Sequence, residues 1–203
     1  MMSRVMLYAL GAMLLAGCAN GKISSAEVSY HDFRLATDPA PLVATLRGLD
    51  VRAPSWLSST NMSYRLSYVD GSRRQVYAES RWVATPAELL ETGLRRRLLM
   101  RVATETGCRL RIDLDEFIQT FDAPKQSRVL LEARLSLLPA RSDVAIARQA
   151  LSLSQPSATP DARGGVAAFA VAVQTLANET AAWLDLQFKT MPTVQAQCGG
   201  SGG

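Results

Sequence analysis

The sequence contains few of the side chains from which catalytic and metal sites are usually built. It has one histidine and three cysteines in 203 residues, and aromatic residues make up 6%. These are too few ligand-type residues for a zinc site. The sequence also has no glycine-rich phosphate loop and no basic patch interleaved with aromatic residues. We therefore expect no cofactor, no metal and no nucleic-acid partner.

Strongly apolar stretches are short. The run at 5–15, preceded by Arg4, is shorter than the ~20 residues that a membrane-spanning helix needs. No segment after Cys18 is apolar enough to cross a bilayer. A basic residue, a short apolar run and small residues before a cleavage point are typical of a secretory signal.

That signal ends in Leu15-Ala16-Gly17-Cys18, the lipobox of bacterial lipoproteins. There the cysteine thiol receives a diacylglycerol, the chain is cleaved before the cysteine, and the new amine is acylated. Several acyl chains hold a protein on a bilayer, whereas one chain holds it only marginally. We predict a signal peptide at 1–17, a lipidated tether at 18–27, a folded domain at 28–190 and a flexible tail at 191–203. The alternatives are an ordinary signal peptide with a chance cysteine and an uncleaved anchor.

The composition is that of one folded domain. Apolar residues make up 48% and charged residues 20%, which is typical of a globular protein. The net charge of +4 suits an anionic membrane surface. Once Cys18 is lipidated, Cys108 and Cys198 remain. In an oxidising periplasm they either pair as a disulfide or stay free, one buried and the other in the mobile tail.

Alternating residues predict strands in the first third of the chain. Strands are expected at 28–35 and 45–52. A half-buried strand at 62–68 is followed by Asp70-Gly71, which marks a tight turn into a partner strand at 73–78.

A helix should follow. Thr85 can cap it, Pro86 fits its first position, and Glu88 completes a capping box. The helix should end near Gly107, because glycine commonly terminates helices. A core-facing stripe recurs at every fourth position: Leu90, Leu94, Leu98 and Val102.

The second half predicts three more strands and a long helix. Apolar residues from Leu110 to Leu114 alternate with charged ones, but Phe117 and Phe121 continue on the opposite parity. This change of phase predicts a bulge near Asp115-Glu116. Further strands are expected at 129–137 and 144–153. A helix at 162–188 carries an apolar stripe: Phe169, Val173, Leu176, Thr180 and Trp183. The order predicts a single α+β domain with a mixed, mostly antiparallel sheet packed against two helices.

Several of these features occur in the same order in one protein family. After the lipobox they are Tyr30-x-x-Phe33-x-Leu35, Tyr64-Arg65, Arg81-Trp82 before a Pro-x-x-Leu-Leu helix start, Leu110-x-Ile112-x-Leu114-x-x-Phe117-x-x-x-Phe121, and an alanine-rich last helix with Trp183-Leu184. Over residues 28–186 the chain resembles the ABC-type transport auxiliary lipoproteins, the PqiC/YmbA-like group. The tail from Cys198 onward has no counterpart in the family pattern.

The resemblance implies a protein without catalytic activity, anchored in the outer membrane and facing the periplasm. Such proteins work beside MCE-type (mammalian cell entry) systems that move phospholipid or other hydrophobic molecules between the two membranes. The implied partners are an MCE-domain transport protein, the outer-membrane phospholipid around the acyl anchor, and further copies of the chain if it forms a homo-oligomeric ring. The family's sorting rule favours the outer membrane because Ala19, and not aspartate, follows Cys18. The alternatives are a lipoprotein that binds a lipid or cell-wall ligand in a pocket and, third, a periplasmic hydrolase.

Few single residues suggest a site. His31 lies near Asp32. A histidine that is solvated or hydrogen-bonded is more common than a catalytic one, so we favour that interpretation of His31. Asp113 and Asp115 share a strand face with arginines, which favours a solvated, charge-alternating face over paired catalytic carboxylates.

The densest charge cluster is Arg95-Arg96-Arg97 with Arg101, in which Arg95 and Arg96 are expected to lie outside the core. One interpretation is a solvated helix face near a C-terminal dipole that favours cations. The other is contact with anionic lipid headgroups or with an acidic rim on a partner. Trp183 is expected in the core, and Trp56 and Trp82 in the core or as plugs at strand ends.

Overall fold

The computed structural model describes residues 27–33, 46–98 and 107–198. Within them, seven strands form one open mixed sheet accompanied by three helices. The strands are β1 (Ser29–His31), β2 (Leu46–Arg52), β3 (Asn61–Leu66), β4 (Gln75–Trp82), β5 (Cys108–Ala123), β6 (Gln126–Leu138) and β7 (Ala147–Pro156). The helices are α1 (Pro86–Arg97), α2 (Ala162–Thr190) and α3 (Pro192–Cys198), and Ser55–Leu57 forms a short 3-10 helix.

The sheet is organised around its longest strand, β5. The strand order is β1-β4-β3-β5-β6-β7. β2 and β3 both pair with the same edge of β5, and β2 pairs with its beginning. The long β5–β6 and β6–β7 ladders are antiparallel, as is β3–β4, whereas β2 and β3 run parallel to β5 and β1 runs parallel to β4. The predicted α+β domain with a mixed, mostly antiparallel sheet is confirmed.

The predicted bulge in β5 is also confirmed. The register against β6 shifts between Leu114 and Glu116, which leaves Asp115 as the extra residue. Leu114 and Phe117 are therefore both buried in the core beneath the helices, although they differ in parity. The bulge lets one strand keep its apolar side chains on one face over its whole length.

An aromatic cluster fills the core between the sheet and α2. Phe117 of β5 stacks on Phe169 of α2 with ring centroids 3.9 Å apart, and Trp82 meets both rings edge-on. Phe33 packs on Trp82 with a centroid distance of 5.2 Å. The second strand of the hairpin was predicted to end at residue 78. In the structure β4 extends to Trp82, whose side chain lies in this cluster.

Trp82 and Trp56 differ in burial. Trp82 is a core residue, as expected. The expectation for Trp56 is wrong, because its side chain is 59% exposed. Trp56 lies in the 3-10 helix, where Leu57 is the residue that turns into the core.

The start of α1 is as predicted. The Thr85 hydroxyl accepts a hydrogen bond from the Glu88 amide, and the Glu88 carboxylate accepts one from the Thr85 amide at 2.9 Å. That backbone bond lowers the pKa of Glu88. The helix ends at Arg97 and not near Gly107, so the predicted end is wrong. Residues 99–106, with Val102, lie outside the described residues. Gly107 has a φ of 125°, a conformation that glycine adopts without strain. The stripe members described are buried: Leu90, Leu94 and Leu98.

The long helix α2 packs on β6 and β7. Asp161 caps it, since its carboxylate accepts from the Gly164 amide at 2.7 Å. The five residues predicted to form its apolar stripe are buried: Phe169, Val173, Leu176, Thr180 and Trp183.

The chain after α2 differs from the expected flexible tail. Pro192–Cys198 forms α3, and its residues Val194 and Cys198 are buried. The third helix is therefore part of the folded domain, and only residues 199–203 of the predicted tail lie outside the described residues.

Candidate functional site

The predicted anchor precedes the described part of the chain. Cys18 and the tether up to residue 26 lie outside the described residues. The described chain begins at Glu27 and forms the edge strand β1. No helix in the described residues is both long and apolar enough to span a membrane. Lipidation of Cys18 remains a prediction.

A disulfide joins Cys108, the first residue of β5, to Cys198, the last residue of α3. The two Cα atoms lie 4.9 Å apart, and both side chains are buried. Of the two states that the sequence left open, the structure contains the bonded one. The bond holds α3 at the end of the sheet where β5 begins.

The arginines of α1 are only partly available to a partner. Arg95 and Arg96 lie on the exposed side of the helix, as expected. Arg95 is engaged within the domain, because its Nε donates to Glu91 Oε1 at 3.0 Å and its guanidinium also donates to the Leu49 carbonyl. Arg101 lies outside the described residues. Contact of Arg95, Arg96 and Arg101 with an anionic surface remains a prediction.

Charged side chains cover the face of the sheet opposite the helices. Arg134 donates to both carboxylate oxygens of Asp115 at 2.7 Å, and Arg111 lies 3.2 Å from Asp113. The hydrogen bond that Arg134 donates to Asp115 raises the pKa of Arg134. Each aspartate therefore pairs with an arginine, and the predicted charge-alternating face is confirmed.

Glu116 is more enclosed than these aspartates, with a side chain 13% exposed. Arg74 Nη2 donates to its two oxygens at 2.7 and 2.8 Å, and Arg65 Nη2 donates at 3.3 Å. Glu116 Oε1 also accepts from the amide of Phe117 at 2.8 Å. One carboxylate thus joins β3, the residue before β4 and the bulge of β5.

A buried glutamine was missed by sequence analysis. Gln119 of β5 is 1% exposed and lies under the first turn of α2. Its Nε2 donates to Ser127 Oγ at 2.9 Å and to the Asp161 carbonyl at 3.1 Å, and its Oε1 accepts from the Tyr77 hydroxyl at 2.9 Å. Burial of that hydroxyl raises the pKa of Tyr77.

Two glycines permit this arrangement. A Cβ at Gly165 would lie 2.2 Å from Gln119 Oε1, and one at Gly164 would lie 2.0 Å from the Thr159 carbonyl oxygen. The sequence did contain a sign of this buried glutamine. Gln119 is a polar residue on the same face of β5 as the apolar Phe117 and Phe121. This network stabilises the domain and contains no group arranged as a nucleophile beside a base.

The only histidine lies at the end of the edge strand β1, and its buried Nε2 has no hydrogen-bond partner among the described residues. His31 is half-buried in β1, and its carbonyl accepts from the Val83 amide at 3.0 Å. In the part of the chain that the structure describes, no three histidine, cysteine, aspartate or glutamate side chains are grouped so that they could hold a metal ion.

Comparisons with known proteins agree with the fold. The model of the family described as "ABC-type transport auxiliary lipoprotein component" matches residues 35–181. No curated protein sequence matches the chain significantly. A solved structure from Xanthomonas campestris, of a protein assigned to the DUF330 family, has a TM-score of 0.68 and 18% identity and covers 80% of this chain and 100% of its own.

A second solved structure, of an uncharacterized protein, has a TM-score of 0.62 and 13% identity. It covers 78% of this chain and 99% of its own. At these identities the two structures establish a shared fold and no shared activity.

Proposed function

Because the chain belongs to the ABC-type transport auxiliary lipoprotein family, we propose that it is a non-enzymatic, lipid-anchored subunit that docks an MCE transport assembly to the outer membrane from the periplasm. The observation that carries this proposal is the order along the chain: a lipobox ending at Cys18, then the family domain over 35–181. The acyl chains on Cys18 fix the position of the domain, and the folded domain binds the end of the MCE assembly. Hydrophobic cargo then reaches the bilayer without crossing water.

Two observations support an exported location. The Cys108–Cys198 disulfide suits an oxidising compartment such as the periplasm. Ala19 after Cys18 suits retention at the outer membrane under the family's sorting rule. In this proposal residues 1–17 are removed as the signal peptide, and 18–27 form the tether between lipid and fold.

The surface of the domain suits binding of another protein. Its open sheet face carries fixed ion pairs of both signs, such as Arg134–Asp115 and Arg111–Asp113. Such patterns give orientation and selectivity to protein association more than they give affinity.

The anchor is tested by labelling and fractionation. In cells fed radiolabelled palmitate, the wild-type protein should be labelled and should fractionate with the outer membrane. Cys18→Ser should abolish both, because the acyl acceptor is gone. Cys198→Ser is the matched control and should stay labelled. A Cys18→Ser protein that keeps its label and its location would contradict the proposal.

The partner is tested by purification from detergent-solubilised envelopes. The wild-type protein should bring down an MCE-domain protein. If it instead retains phospholipid and brings down no MCE-domain protein, the docking role is wrong and the chain is a lipid-binding lipoprotein.

A further inference from the structure

Three arginines surround an open pocket at one end of the sheet. The pocket has a volume of about 330 Å³ and is lined by Arg47, Arg109, Ala140, Arg141, Ser142 and Asp143. Residues 140–143 belong to the loop that joins β6 to β7, and this loop reaches the end of the sheet at which β2 and β5 begin. We refer to the six residues as the arginine pocket.

A β-bulge places Arg47 in the pocket. Leu46 pairs with Cys108 and Gly48 pairs with Arg109, so Arg47 is an extra residue without a partner in β5. Bulges redirect the side chain of the extra residue.

The loop orients two of the three guanidinium groups. Arg47 Nη1 lies 3.5 Å from the Ala140 carbonyl oxygen, and Arg109 Nη2 lies 3.4 Å from that of Ser142. These contacts are long for hydrogen bonds and use one nitrogen of each group. A guanidinium has five N–H donors, so most donors of Arg47 stay available. Arg109 has fewer free donors, because its Nη2 also donates to Asp143 and its Nε is buried.

The charge of the pocket is strongly positive. Three arginines line it, and Asp143 is its one carboxylate. Asp143 Oδ1 accepts from Arg109 Nη2 at 2.8 Å, but the aspartate side chain is 89% exposed. Exposed ion pairs of this kind contribute little, so an anion that enters the pocket can replace Asp143 as the partner of Arg109.

We propose that the arginine pocket binds an oxyanion of the phosphate class, supplied by the headgroup of an anionic phospholipid or by free phosphate. The planar fork of a guanidinium matches phosphate oxygens in a bidentate manner. Apart from Ala140, the lining side chains are polar or charged, so the pocket receives a headgroup and not an acyl chain. This binding does not depend on the docking role.

The test measures binding by the full-length protein in detergent micelles. Titration calorimetry with inorganic phosphate should show saturable binding of one anion per chain. Arg47→Gln and Arg141→Gln should each weaken it about tenfold or more, because each removes charged hydrogen-bond donors. Both side chains are exposed, so the variants should fold, which circular dichroism checks. The matched control is Arg163→Gln, an exposed arginine in the first turn of α2, and it should bind like the wild type.

Mixed micelles distinguish the two sources. Stronger binding to short-chain phosphatidylglycerol than to free phosphate identifies the headgroup as the ligand, whereas equal or weaker binding identifies free phosphate. The proposal is overturned if no saturable phosphate or phosphatidylglycerol binding occurs, including the case in which only an acidic peptide binds. It is also overturned if Arg163→Gln weakens binding as much as Arg141→Gln. Cys18→Ser protein should bind phosphate normally, so failure of the anchor and failure of the pocket can be told apart.

Discussion

Cys108 and Cys198 are bonded across a sequence separation of 90 residues, so the first residue of β5 and the last residue of α3 are covalently joined. The bond lies at the end of the sheet that also holds the arginine pocket, because Arg109 directly follows Cys108. A helix as short as α3 is not stable alone in water. The disulfide, with the burial of Val194, therefore fixes α3 to the domain.

Cys198→Ser should lower the free energy of unfolding by about 2–4 kcal/mol, because the unfolded chain is no longer constrained across a long loop. Guanidinium unfolding with and without dithiothreitol measures the effect. The reductant should destabilise the wild type and leave Cys198→Ser unchanged. The exposed neighbour Gln197→Ser should behave like the wild type. If Cys198→Ser is as stable as the oxidised wild type, the disulfide does not contribute to stability.

Gly165→Ala should destabilise the domain by about 1–3 kcal/mol. The new Cβ would lie 2.2 Å from Gln119 Oε1, and the hydrogen bonds of Gln119 prevent that side chain from moving aside freely. This outcome reverses the usual helix preference for alanine over glycine. Urea unfolding measures it, and Gly71→Ala, which meets no atom within 4 Å, is the control. A more stable Gly165→Ala protein would show that α2 does not press on Gln119.

Glu116→Ala should cost about 1–3 kcal/mol, because it removes the acceptor of Arg65, Arg74 and the Phe117 amide together. Glu132 is the matched control, since it lies opposite Glu116 in the β5–β6 ladder. Among the described residues it accepts only a 3.4 Å hydrogen bond, from Ser152. Glu132→Ala should change stability by less than about 0.5 kcal/mol. Equal effects of the two substitutions, measured by thermal or urea unfolding, would count against the role of Glu116.

Asp161 should make the stability of the domain depend on pH in the acid range. The hydrogen bond from the Gly164 amide, and then that from the Thr159 hydroxyl, lower the pKa of Asp161 below 3.8. A carboxylate whose pKa is lowered by folding stabilises the fold above its unfolded pKa, and this contribution disappears as the pH falls through the folded pKa. Asp161→Asn keeps an oxygen acceptor but does not titrate.

The stability gap between wild type and Asp161→Asn should therefore be constant near neutral pH and shrink below about pH 4. Urea unfolding at a series of pH values measures this gap. If the difference in unfolding free energy stays constant as the pH falls below about 4, the helix cap does not depend on the charge of Asp161.

Local signals in the sequence specified most of the secondary structure. Thr85, Pro86 and Glu88 define the start of α1 within four residues, because capping uses groups one turn apart. The change of parity between Leu114 and Phe117 predicts the bulge, because side chains alternate between the two faces of a strand. The lipobox and the ordered family motifs likewise depend on residues close together in the chain.

Tertiary structure decided which distant residues meet. Arg47, Arg109 and Arg141 come from three elements, and only the register of β2 on β5 and the path of the β6–β7 loop bring them to one pocket. The same holds for Gln119 beneath Gly165 and for Cys198, whose glycine-rich surroundings suggested a flexible tail. Strand register and helix docking are set by the packing of the whole core, and no short stretch of sequence contains that information.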